Sequence, residues 1–70
     1  MQRKRVRSSV LASVGYESGT LEVEVRGGNV YQYFIVPRHV YEELMAAPSH
    51  GSFFNTHIRD RYPCVRLSGG

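Results

Sequence analysis

Four cations occupy the first seven residues of the sequence, and no acid accompanies them: Arg3, Lys4, Arg5 and Arg7. Arginine outnumbers lysine eight to one along the chain. A guanidinium group can hold a phosphate or a carboxylate through two parallel hydrogen bonds, whereas an ammonium group acts as a point charge. The arm therefore favours an anionic partner such as nucleic acid. It is also what an ordinary solvated terminus looks like, and both interpretations stay open at this point.

Asn55, Arg59 and Tyr62, at spacings of four and three residues, form a second polar group near the end of the chain, and Arg61 adds a further cation. Asn55 and Arg59 are four residues apart, a spacing that places two side chains on the same side of a helix. In a binding surface the arginines would contact phosphate, and the Asn55 amide would donate to and accept from a sugar or a base edge. In a structural role, Asn55 and Arg59 would instead hydrogen-bond the loop of residues 49–51. The sequence favours neither role.

Tyr31 and Tyr33 lie two residues apart in a segment rich in β-branched and aromatic residues. In a strand both rings project from one face, together with the side chain of Ile35. On an open face the tyrosines would form a platform for stacking unpaired bases, at about 1–3 kcal/mol per base. On a covered face they would belong to the core, and Val30 and Phe34 would be left as an exposed apolar patch. The covered face is favoured, because large aromatic side chains dominate small cores.

The other reactive residue types form no catalytic or metal-binding motif. His39, His50 and His57 lack the spacing of zinc ligands, and Cys64 has no activating residue beside it in the sequence. No glycine-rich phosphate loop opens a helix. We therefore expect no metal, no cofactor and no enzymatic activity.

The strands that must position these residues are predicted from alternating apolar and polar side chains. Residues 10–16 and residues 21–25 both alternate with the period of a strand. Gly27-Gly28-Asn29 predicts a tight turn, and residues 30–36 predict a third strand that pairs with the second as a hairpin.

Two short helices are predicted after the strands. Pro37 suits the first turn of a helix, and Val40 and Leu44 recur at helical spacing before Pro48 ends it. A second helix, capped by Ser49 or Ser52, would carry an apolar stripe and end before Pro63. The predicted fold class is α+β: a three-stranded antiparallel sheet followed by two short helices packed on one face, in the order βββαα.

Length and cysteine content limit the class of protein. A chain of 70 residues with one cysteine is a single domain near the lower size limit for a stable core, and no internal disulfide can support it. We expect residues 1–7 to be a basic flexible arm, residues 8–67 to be the folded domain and residues 68–70 to be a flexible tail. The chain carries no stretch apolar enough to span a membrane and no secretion signal. The expected location is the cytoplasm.

Several short motifs occur in a specific order along residues 8–63. In chain order they are Gly15-Tyr16, Thr20-Leu21-Glu22-Val23, Tyr31-Gln32-Tyr33, Val36-Pro37, Val40-Tyr41, Ala47-Pro48-Ser49-His50-Gly51, Phe54-Asn55, Ile58-Arg59 and Tyr62. This series resembles the KTSC domain, which occurs at the C-terminus of some lysyl-tRNA synthetases and as a free-standing small bacterial protein. The resemblance implies RNA binding, by association with a tRNA-charging enzyme.

The function expected from residues and resemblance together is that of a small non-catalytic binding module. Its partner would be RNA or another single-stranded nucleic acid, contacted by the arm, the two tyrosines and the Asn55 group. The alternative is a protein-interaction or homodimerisation module without nucleic-acid contact. The small size of the chain and its lack of stabilising cross-links favour this alternative.

Overall fold

The sheet of this protein is one in which every strand pairs with its neighbours in sequence. The computed structural model describes residues 1–68, and Gly69 and Gly70, which belong to the predicted tail, lie outside the described residues. The strands are β1 (Lys4–Arg5), β2 (Leu11–Glu17), β3 (Thr20–Val25), β4 (Val30–Tyr33) and β5 (Cys64–Ser68). All neighbouring pairs are antiparallel, and the sheet order is β1-β2-β3-β4-β5.

The predicted α+β class, with a sheet and two helices, is confirmed, but the predicted number of three strands is wrong. Residues 1–68 form five strands, because a short strand is added at each edge of the predicted sheet. β1 consists of two charged residues of the basic arm and has no alternating pattern. β5 does alternate, but the side chains of residues 64–67 are all exposed, and the residues that pair with it lie far away in the sequence.

Two helical segments follow β4 and begin at residues that the sequence marks; the second ends at Ile58, five residues before the predicted stop at Pro63. α1 (Arg38–Ala46) begins directly after Pro37, and Pro48 follows its end. α2 (His50–Phe53) is capped by Ser49, whose hydroxyl accepts a hydrogen bond from the backbone N–H of Ser52 at 3.2 Å. A π-helical turn (Phe54–Ile58) continues α2. The predicted cap is therefore confirmed at Ser49.

The core lies between the sheet and the helical segments. Its buried side chains are Leu11, Val14, Leu21, Val23, Tyr33, Val36, Val40, Leu44, Phe54 and Ile58. Burying one such large apolar side chain stabilises a fold by about 1.5–3 kcal/mol. No helical segment within residues 1–68 is long and apolar enough to cross a membrane.

A polar network covers the sheet face opposite the helices. Arg3 pairs with the buried carboxylate of Glu22, which also accepts a hydrogen bond from the Gln32 amide at 2.9 Å. The Ser13 hydroxyl accepts from Arg3 Nε at 2.9 Å and donates to Glu24 at 2.9 Å. The network joins β2, β3 and β4 to the residue that precedes β1.

Gly15 allows this close approach of the N-terminal segment. A Cβ atom at this position would lie 2.5 Å from the backbone carbonyl oxygen of Gln2. Real Cβ atoms do not come so near to a backbone oxygen, so any larger residue would displace β1.

Ile35 does not share the buried face of Tyr31 and Tyr33, contrary to the prediction. β4 ends at Tyr33, and the chain then turns through Ile35 with a φ of 61°, which leaves its side chain 79% exposed. The left-handed conformation costs an L-residue about 1–2 kcal/mol. A β-branched residue is especially unfavourable there.

Replacing Ile35 by Asn is expected to raise the free energy of unfolding by about 1 kcal/mol, because Asn tolerates a positive φ and the isoleucine side chain makes little buried contact. Urea denaturation measures the change. Ile35→Val is the matched control, since it keeps the β-branch and should leave the stability nearly unchanged. An Ile35→Asn protein less stable than the wild type would contradict the assignment of strain.

Glu22 should contribute stability that depends on pH. Burial by itself would raise its pKa, but hydrogen bonds from Gln32 and Arg3 and the charge of Arg3 outweigh burial and lower the pKa below the ordinary 4.5. A lowered pKa means that the contribution is present above about pH 4.5 and is lost as the pH falls through the folded-state value.

Urea denaturation as a function of pH tests this contribution. The Glu22→Gln variant should lose less stability than the wild type as the pH falls below about 4.5. At neutral pH it should be less stable by about 1 kcal/mol, because the charged hydrogen bond to Arg3 is gone. Glu43→Gln, at an exposed position of α1, is the control and should keep the wild-type acid slope. Equal acid slopes for Glu22→Gln and the wild type would rule out this role.

Candidate nucleic-acid interface

A cleft of about 550 Å³ opens on the helix side of the sheet, beside β4 and β5. Its apolar floor comes from Val25, Tyr31, Tyr33 and Phe54. One edge is formed by Ser9 and Val10, which directly precede β2 in the sequence. The opposite wall is the π-helical turn and the residues that follow it, which supply Asn55, Arg59, Asp60 and Tyr62. Arg26 and Cys64 complete the lining.

Strand register brings the two tyrosines to this cleft. Tyr31 pairs with Val23, and Tyr33 pairs with Leu21; both partners are fully buried on the helix side. Tyr33 is 5% exposed and meets the ring of Phe54 edge to face, with 5.6 Å between the ring centres. Tyr31 is half-buried. The tyrosines therefore lie on the covered face, and an open-face stacking platform does not form.

The alternative exposed patch does not form either. Val30 is 8% exposed, and Phe34 is half-buried. The backbone N–H of Phe34 donates to the carbonyl of Pro63 at 2.8 Å, which continues the contact between β4 and the start of β5. The prediction of an exposed patch is wrong because the predicted sheet did not include β5.

The π-helical turn sets the position of Asn55 and Arg59. Its wider hydrogen bond runs from the Arg59 N–H to the Phe54 carbonyl at 2.9 Å and keeps both Phe54 and Ile58 buried. Asn55 and Arg59 are exposed and line the cleft. Within residues 1–68, neither side chain hydrogen-bonds the loop of residues 49–51, so the structural role considered for them is not what the structure has.

Positive charge predominates around the cleft. Arg26 and Arg59 line it, and Arg66 pairs with Tyr31 across β4 and β5, so its side chain leaves the sheet on the same face. Arg26 is held in place because its Nε donates to the Ser8 carbonyl at 3.1 Å. Asp60 is the acidic residue in the lining.

Tyr33 stays un-ionised under physiological conditions. Burial raises the pKa of its hydroxyl to about 12, and the neighbouring Cys64 raises the pKa as well, while the charge of Arg59 acts in the opposite direction. The floor of the cleft is therefore neutral, and the charge is carried by the rim.

The basic arm is not part of the cleft. Arg3 is engaged with Glu22 on the opposite face of the sheet. Lys4 and Arg5 lie in β1, which is three strands from β4, about 14 Å at the usual strand spacing. Arg7 directly precedes Ser8 and Ser9 and is the arm cation nearest to the cleft along the chain.

Arg61 is exposed in the turn between Arg59 and Tyr62 and does not line the cleft. Of the predicted site residues, the structure thus brings together Tyr31, Tyr33, Asn55 and Arg59. The described residues contain no cluster of three His, Cys, Asp or Glu side chains that could hold a metal ion.

Arg26 and Arg66 were not predicted as site residues. Arg26 follows the alternating segment of β3, and the alternation predicted only that its side chain faces solvent. Arg66 belongs to β5, and the alternation of Val65 and Leu67 with polar residues was the signal that could have found it.

Known proteins resemble this chain over most of its length. A model of the KTSC domain family matches residues 7–62. A lysine–tRNA ligase of Nostoc punctiforme is 42% identical over 62 residues, which are 86% of this chain and 11% of the ligase. The chain therefore spans only a small part of the ligases that it matches.

Two further proteins match over most of their own length. A protein of Stutzerimonas stutzeri is 44% identical over 57 residues, which are 79% of this chain and 80% of that protein. The crystal structure of a KTSC domain protein from Yersinia pestis superposes with a TM-score of 0.90 at 36% identity, covering 96% of this chain and 97% of that one.

Replacing Tyr33 by Phe should flatten the loss of stability at high pH. Because the pKa is raised from 10.0 to about 12 on folding, Tyr33 contributes stability that is complete below pH 10.0 and is lost as the pH rises towards 12. Urea denaturation between these pH values should therefore show a shallower decline for Tyr33→Phe than for the wild type. Tyr41→Phe, on α1, should keep the wild-type decline. A wild-type decline in Tyr33→Phe would show that this hydroxyl is not shielded.

Proposed function

The chain belongs to the KTSC domain family, as its sequence motifs predicted, and we propose that it is a small non-catalytic module that binds RNA through the cleft. The observation that carries the proposal is the composition of the cleft. Three arginines and one acid surround an aromatic floor, and an exposed amide lies on the rim. Positive charge beside aromatic side chains is the combination that single-stranded nucleic acid requires.

The relatives support the same class of partner. Some of the similar proteins are lysine–tRNA ligases, enzymes whose name states that they act on tRNA. A domain attached to such an enzyme lies near the tRNA on which the enzyme acts. The lone cysteine, which cannot form an internal disulfide, supports a cytoplasmic location where RNA is available.

The basic arm supplies a second, weaker contribution. Lys4, Arg5 and Arg7 are exposed, whereas Arg3 is neutralised by Glu22. Exposed cations at a distance from the cleft attract a polyanion through long-range electrostatics and contact phosphate without reading sequence. We expect the arm to change overall affinity and the cleft to decide which nucleic acid is preferred.

A second candidate function is contact with a protein or with another copy of the chain through β5. β5 is an edge strand, and Val65 and Leu67 are 46% and 52% exposed on it. Exposed apolar side chains on an edge strand favour pairing with another strand. The length of the apolar segment is small, so this candidate ranks below RNA binding.

Fluorescence anisotropy with a labelled single-stranded RNA tests the first candidate. Arg59→Ala and Arg66→Ala should each weaken binding and reduce the slope of log affinity against log salt by about 0.7, because each removes one phosphate contact. Arg38→Ala is the matched control: Arg38 is also exposed but lies over the ring of Tyr16, away from the cleft.

The proposal fails if the wild type does not bind RNA at low salt, or if Arg38→Ala weakens binding as much as Arg59→Ala. Sedimentation of the same samples separates the two candidates. A mass that doubles with concentration, in a protein that binds no RNA, would favour self-association through β5.

A further inference from the structure

We propose that the cleft receives one unpaired nucleobase, stacked on Tyr31 and hydrogen-bonded by Asn55, so that the domain selects single-stranded over double-stranded RNA. This inference rests on the proposed RNA-binding function and specifies what enters the cleft. It follows from the ring surface that remains open, from the groups at the rim and from the shape of the site.

The open ring surface limits how many bases can stack. Tyr33 and Phe54 are 5% and 3% exposed and pack against each other, so their faces are already covered. Tyr31 and Tyr62 line the cleft and are only half-buried. The available aromatic surface is thus that of Tyr31, with Tyr62 beside it, and a single planar base fits this arrangement better than a run of stacked bases.

The shape of the site excludes a base that is still inside a helix. A volume of about 550 Å³ lies within the usual range of small-ligand sites, and Tyr33 and Phe54 on the floor are buried whereas the wall residues Asn55 and Arg59 are exposed. In double-stranded RNA the bases are stacked and paired, and the deep groove does not admit side chains. Only a base that has left the stack can enter a recessed cleft.

The rim carries groups for both parts of a nucleotide. Asn55 is exposed and has no side-chain hydrogen bond to the rest of residues 1–68, so its amide can donate to and accept from a base edge. Arg66 pairs directly with Tyr31 across the strands, so the two side chains are neighbours on one face, and the guanidinium would contact the phosphate that flanks the stacked base. Arg59 lies four residues from Asn55 on the same wall.

The charges around the cleft favour a nucleotide over an acidic peptide. Arg26, Arg59 and Arg66 are the cations, and Asp60 is the acid in the lining. An acidic peptide would use the cations but would leave the open faces of the two tyrosines without a planar partner. A nucleotide uses both, with its phosphate at the rim and its base on the ring.

The test compares one RNA sequence as a single strand and annealed to its complement, by fluorescence anisotropy at fixed salt. The single strand should bind more tightly. Tyr31→Leu should weaken binding of the single strand about 5- to 150-fold, the equivalent of one lost stack, while leaving binding of the duplex unchanged. Tyr31→Phe is the matched control, because it keeps the ring, and should stay within about twofold of the wild type.

Asn55→Ala provides an independent variant at an exposed position that does not threaten folding. It should change the preference among homopolymers of adenosine, uridine and cytidine without changing the salt slope, because the amide contacts a base and not a phosphate. Arg66→Ala should change the salt slope without changing the preference among the homopolymers. NMR titration with the single strand should shift the backbone amides of Tyr31, Asn55 and Arg66.

The outcomes separate this inference from the proposed function. If RNA binds and Arg59→Ala weakens it, but the duplex binds as tightly as the single strand and Tyr31→Leu has no effect, the base-binding cleft is wrong and RNA binding stands. If no RNA binds at low salt, both are wrong. If poly-glutamate shifts the cleft amides and RNA does not, the cleft is a peptide site and both are again wrong.

Discussion

The edge-to-face contact between Tyr33 and Phe54 holds the arrangement of sheet, helices and cleft together. Tyr33 ends β4, pairs with Leu21 in β3 and with Cys64 in β5, and meets the Phe54 ring at 82°. One residue therefore joins three strands, through backbone pairing, to the π-helical turn, through its ring. Phe54 fixes the position of the π-helical turn. Asn55 and Arg59 directly follow the buried residues Phe54 and Ile58, so they are held above the floor of the cleft.

The side chains of the Tyr31-Gln32-Tyr33 motif alternate between the two faces of the sheet. Tyr31 and Tyr33 point to the helix side, and Gln32, between them, donates to Glu22 on the other side. Glu22 in turn engages Arg3, whose segment can approach only because residue 15 is glycine. A cation that the sequence offers for phosphate binding is thus used to fasten the N-terminal segment. Its pairing with Glu22 leaves Arg26, Arg59 and Arg66 as the arginines beside the cleft.

The cleft draws on both ends of the folded chain. Ser9 and Val10 form one lip, and Cys64 and Arg66 come from β5 at the other edge. The family match ends at residue 62, so Cys64 and Arg66 come from beyond the matched residues. Arg66 borders Tyr31 because β5 pairs with β4, and that pairing gives the aromatic floor its cationic neighbour.

The sequence by itself determined the features that depend on neighbouring residues. Alternation and turn glycines predicted the β3–β4 hairpin, prolines predicted the limits of α1, and Ser49 predicted the cap of α2; the motif order predicted the family. Only the tertiary structure decided the edge strands β1 and β5, the outward turn at Ile35 and which arginines surround the cleft. Each of these depends on a hydrogen bond or a contact with residues distant in the chain. Local sequence does not specify such contacts: even the alternation of β5 does not say which strand it pairs with.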